Sequence, residues 1–159
     1  MNAVHPTGPL HAFLSGTGTD GRGRLVGDVL AFDDHRLEAV HDYIQWLFPL
    51  RTRSMAQPGA PVLTQAEAEA IRADPKARTA LVHASDMMLG FYACFDGWLT
   101  WSDHNHLRIS RIIASLRELL GQDAARAFHE AVMERHEAAG RPINPENLRY
   151  WHAACGALA

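Results

Sequence analysis

Apolar residues recur every third or fourth position through most of this chain, and that spacing admits helices and little else. The periodicity is plainest after Asp103, where Ile109, Ile112, Ile113, Leu116, Leu119 and Leu120 fall on one stripe. Ser102 or Asp103 can cap that helix by accepting from its unpaired N–H groups, and Gly121 supplies a left-handed stop. Asp123 to Ala139 repeats the pattern with Phe128, Ala131 and Val132 inside and Gly140 as terminator. Asn144-Pro145 then opens a last helix carrying Leu148, Trp151 and Cys155.

Upstream, Thr64 to Glu67 has the form of a capping box and starts a short helix to about Ala73. Asp74-Pro75 starts a long one, with Ala77, Leu81, Ala84, Met88, Phe91, Tyr92 and Phe95 on its stripe and Gly97 breaking it. From Asp34 to Phe48 the spacing predicts one helix with Leu37, Val40, Ile44, Leu47 and Phe48 facing inward and His41 among them. Tyr43 and Trp46 widen that surface, Asp42 and Gln45 take the polar side, and Pro49 stops it. Residues 1–23, rich in Gly, Pro, Thr and Ser, read as a flexible N-terminal arm, and residues 24–159 as the helical domain. No strand alternation competes. The expected fold class is all-α, a compact single-domain bundle of about five to six helices without repeats.

With 159 residues, 47% of them hydrophobic, the chain can bury one sizeable core. A net charge of −3 provides no basic field for phosphate backbones, so no nucleic-acid partner is expected. No window approaches the roughly 18 apolar residues of a membrane span. Met1 to Pro6 lacks a secretory signal, so the expected location is cytoplasmic. Cys94 and Cys155 are too few for a disulfide framework and should pack as small apolar groups.

The segment His41-Asp42-Tyr43-Ile44-Gln45-Trp46-Leu47-Phe48-Pro49-Leu50 resembles the hallmark of the opioid growth factor receptor conserved-domain family. A second match follows at His104-Asn105-His106-Leu107-Arg108-Ile109-Ser110-Arg111-Ile112-Ile113, with Trp101 before it and Ser115-Leu116 after it, and a third lies at Met88-Leu89-Gly90-Phe91-Tyr92. The likeness extends from about residue 25 to 155. The family is named for an animal protein that binds an enkephalin peptide, so the resemblance implies a receptor-like binding role. Animal members carry serine where this chain has Asp42.

The residues themselves point the same way. His104, Arg108 and Arg111 share one face of a helix at spacings of four and three, and guanidinium forks suit a carboxylate or phosphate. His41, Asp42, Trp46 and Trp101 complete the candidate ligand-binding set for a peptide or small acidic molecule. The structural alternative gives His41 a hydrogen-bond partner in the core and pairs the arginines with acidic neighbours, Asp42 foremost. His104-x-His106 with Asp103 offers metal donors, but two histidines two apart on a helix diverge, so neither metal nor cofactor is expected. Three functions follow: a non-enzymatic binding domain, an acid–base or metal-assisted enzyme using His41 and His104, or a protein-association module in which both motifs are structural. The oligomeric state is left open.

Overall fold

The computed structural model describes residues 6–156, and every regular element among them is a helix. The chain divides into two compact units, Met1–Ala84 and Ser85–Ala159. The first contains α1 (Pro9–Leu14), α2 (Val26–Leu30), α3 (Asp34–Ala39), α4 (Ile44–Leu47) and α5 (Gln65–Ala73). A long α6 (Pro75–Cys94) runs from the first unit into the second, where α7 (His104–Leu119), α8 (Gln122–Ala138) and α9 (Pro145–Ala154) follow.

Two of the expected caps form as read, and of the box at Thr64 to Glu67 the threonine half forms. Asp103 accepts from the N–H of Asn105, Asn144 from that of Asn147, and Thr64 from that of Glu67. The α7 stripe of Ile109, Ile112, Ile113, Leu116 and Leu119 is buried and packs against α8 and α9. In the first unit Leu10, Phe13, Leu37, Tyr43, Leu47, Phe48 and Ile71 make the core.

Three expectations need correction. Residues 34–48 are not one helix: Val40 takes an extended conformation, and Val40 to Tyr43 lie between α3 and α4. The β-branched Val40 suits that geometry, and the Tyr43 hydroxyl donates to the Leu37 carbonyl at 2.6 Å, satisfying one of the acceptors that a helix end leaves open. The break turns His41 outward, where it is exposed, and buries Gln45, which the helical spacing assigns to the polar side.

The proposed flexible arm contains α1, with Leu10, His11, Phe13 and Leu14 all buried; its first five residues lie outside the described residues. The carboxylate of Glu67 accepts from the N–H groups of Leu10 (2.9 Å) and His11 (3.1 Å), so it caps α1 rather than closing a box on α5. The His11 ring lies 2.8 Å from Asp74 with neither side chain appreciably exposed. Third, Cys155 is buried as expected but Cys94 is exposed.

Candidate functional site

The first motif builds a charged recess in the first unit. Asp42 accepts from Arg22 Nε and Arg24 Nη2, both at 2.8 Å, and Arg24 Nε donates to Asp20 at 2.7 Å. Asp20, buried, also accepts from the backbone N–H groups of Arg22 and Arg24, which curls residues 20–24 around its carboxylate. Burial opposes the charge on Asp42, yet the hydrogen bond and charge of Arg24, followed by those of Arg22, outweigh it and hold the carboxyl below its ordinary value. Burial likewise works against the Arg24 cation, and Asp42 and Asp20 overcome it, raising the guanidinium.

Asp42 and Arg22 line a cavity of about 200 Å³ together with Gly21, Trp46, Gln57, Gly59 and Ala60. The Trp46 indole is steadied by an edge contact with Phe13 on α1, ring centres 5.6 Å apart. The Arg22 side chain is 74% exposed, so the recess opens on a guanidinium that solvent and a ligand can both reach. Sequence reasoning singled out Asp42 and Trp46 here but missed Arg22, Arg24, Asp20 and Gln57. Arg22 sits inside the glycine-rich run that the sequence marks as an arm burying little, and Arg24 directly follows that run.

The second motif lies in the second unit, and its central residues are structural. Asn105 is fully buried; its side-chain carbonyl accepts from the Tyr92 hydroxyl at 3.0 Å, and its amide nitrogen donates to Asp103. His106 Nε2 lies 2.7 Å from the Trp98 carbonyl and its Nδ1 2.8 Å from the Asn147 side-chain amide. A carbonyl only accepts, so Nε2 carries the proton and Nδ1 receives the amide N–H. Both nitrogens are committed, and His106 has no lone pair left for a metal. Trp151 donates from its indole to the His106 carbonyl and stands edge-on to the ring. This network explains the motif's histidine and asparagine by packing.

Its flanks face outward. Trp101 is 67% exposed while its carbonyl accepts from Asn144, and His104 is exposed at the start of α7, 3.7 Å from Asp103. Arg108 is buried, and burial pushes the Arg111 guanidinium down to about 10, which leaves it charged at neutral pH. His104, Arg108 and Arg111 thus share α7, whereas His41, Asp42 and Trp46 belong to the first unit. Asp42, the acidic partner expected for the α7 arginines, has both its oxygens taken by Arg22 and Arg24.

Among the described residues no group of three or more His, Cys, Asp or Glu side chains is placed to hold a metal ion, and no helix is long and apolar enough to cross a membrane.

Residues 28–134 match the family model described as the opioid growth factor receptor (OGFr) conserved region. The chain is 35% identical over 127 residues to the opioid growth factor receptor of Homo sapiens, an alignment covering 65% of this chain and 18% of that protein. It is 39% identical over 119 residues to the receptor of Rattus norvegicus, covering 61% and 20%. With the opioid growth factor receptor-like protein 1 of Mus musculus it shares 35% over 125 residues, covering 64% and 26%. The chain therefore spans about a fifth to a quarter of the length of these relatives. No solved structure matches it.

Proposed function

Because the chain belongs to the opioid growth factor receptor conserved-region family, we propose that it is a binding domain that holds a peptide or a small acidic ligand without turnover. The observation that carries this reading is the recess in the first unit, where Arg22, Asp42, the Trp46 indole and the Gln57 amide surround about 200 Å³. A few polar groups beside an aromatic wall are the usual makings of a small-ligand site. Arg22 spends its Nε on Asp42 and offers its remaining N–H groups to a carboxylate, Trp46 gives a face for an apolar or aromatic side chain, and Gln57 can pair with a peptide amide. That relatives are named receptors supports binding as the family's business. Trp101, just before α7, and His104, Arg108 and Arg111 on it form a second proposed contact patch, of which Trp101 and His104 are the exposed part.

Calorimetry with short peptides, each compared as free acid and as C-terminal amide, tests the reading. Saturable binding of the free acids, weakened about tenfold or more by Arg22→Ala, is the expected result, since a charged hydrogen bond contributes roughly 1.5–3 kcal/mol. Equal affinity of parent and variant would place the site elsewhere. Mass spectrometry of the recovered peptide reads turnover directly: cleavage or modification would replace this reading with the enzymatic one based on His41 and His104.

A further inference from the structure

In the second unit, on α8 and α9, the rings of His129 and His152 stand 4.6 Å apart with their planes at 81°. His129 is only 8% exposed, and its Nε2 is buried with no hydrogen-bond partner. An orphaned buried nitrogen is rare in folded proteins and calls for an occupant or an explanation. His152 is exposed, so solvent reaches the pair from one side.

We propose that His129 and His152 form a two-histidine clamp for a borderline divalent metal ion of the Zn²⁺, Ni²⁺ or Cu²⁺ class, bridging α8 and α9. Two imidazoles bound to one ion through nitrogens about 2.0–2.1 Å from it hold their ring centres about 5 Å apart, close to the separation seen here. Imidazole selects these ions over Mg²⁺ and Ca²⁺, which take oxygen donors. Simple edge-to-face packing accounts for the ring contact but leaves His129 Nε2 unsatisfied; an ion bound there supplies the missing partner. With no third protein donor gathered among the described residues, the remaining coordination positions go to water or to a donor supplied from outside. The ion is accordingly exchangeable rather than a requirement for folding. The site shares no residue with the recess around Asp42, and its failure would leave the binding reading untouched.

The test uses the full chain without a histidine tag, stripped by chelator and titrated with zinc chloride in a calorimeter, with thermal unfolding followed in parallel. An ion that joins two helices binds the folded state in preference to the unfolded one and raises the melting temperature with its concentration. One equivalent of Zn²⁺ is expected to bind. His152→Ala, a surface change, weakens that binding by at least about tenfold, as the loss of even an outer-shell partner does, and removes the rise in melting temperature. His83→Ala, at another exposed histidine, changes neither. Electron paramagnetic resonance of the Cu²⁺ form should show coupling to two imidazole nitrogens in the parent and fewer in His152→Ala. Absence of saturable binding at millimolar zinc overturns the proposal, as does binding that survives His152→Ala or is lost in His83→Ala.

Discussion

At position 42 one carboxylate answers two guanidinium groups, and the side chain is held where the backbone has just left a helix. Burial works against that charge, but Arg24 and Arg22 depress the carboxyl below its ordinary 3.8. A group depressed on folding contributes stability that is fully present above its unfolded value and lost as pH falls through the folded one. Asp42→Asn should therefore lower stability by about 1 kcal/mol at pH 7, less than the roughly 1.5–3 kcal/mol of a charged hydrogen bond because the Arg22 side of the pair is open to solvent. The gap between variant and parent should close as pH drops below about 4. Urea midpoints at pH 7 and pH 3 check both statements, and an undiminished gap at pH 3 would mean that packing, not charge, makes the difference. The sequence pointed to Asp42 and Trp46 through their motif, whereas the partner arginines were hidden, because residues 16–23 look too glycine-rich to fix anything. His41 was misplaced for the opposite reason: a regular apolar stripe carried it inward on the assumption that the helix continued, and the extended Val40 turns it out to solvent.

The elements the sequence reveals are those whose start, stripe and stop agree: α7 has all three written locally in a capping residue, an apolar spacing and a terminator, and α9 has the first two. Short α1 has no side-chain cap of its own; its cap arrives from Glu67, fifty-six residues away, and no local pattern carries that information. Once Glu67 is seen to serve α1, the apparent capping box at Thr64 becomes a half-box, and the helical spacing of Leu10, Phe13 and Leu14 becomes intelligible. Glu67→Ala should leave the N–H groups of Leu10 and His11 buried without an acceptor, at a cost of roughly 2–3 kcal/mol. Glu67→Gln keeps one acceptor oxygen and should cost about half as much. The Trp46 ring, which packs on Phe13 of α1, is the natural reporter: its emission should shift to the red in Glu67→Ala under native conditions if α1 detaches locally. An unchanged emission combined with lower stability would instead make Glu67 part of the global unfolding unit. A methyl group at Gly8 would meet the same carboxylate at 2.5 Å, so Gly8→Ala should act in the same direction.

Among the described residues, acid-sensitive groups sit in both units and act in different pH windows. Asp42 belongs to the first, while buried His136 belongs to the second. The Nδ1 atom of His136 accepts the Ile143 N–H and its Nε2 has no partner, so the ring can take a second proton only by giving up the hydrogen bond it has. Burial is the main force pushing it below the ordinary 6.5; Glu137 pulls the other way, and Arg141 and His106 add to the depression. The unfolded chain consequently takes up this proton first, and stability falls as pH drops through 6.5 toward the folded value. Melting temperature should thus decline between pH 7 and pH 5, well above the window in which Asp42 titrates. His136→Gln, which cannot be charged, should flatten that decline without abolishing it, because burial, first, and the neighbouring His152 also depress His129. Tryptophan separates the units: Trp46 reports the first, and Trp98 with Trp151 the second. If the units unfold together, all three report one transition and the variant shifts it whole. If they unfold separately, the loss between pH 7 and pH 5 belongs to Trp98 and Trp151 alone, and the Trp46 signal holds until the arginines lose their hold on Asp42.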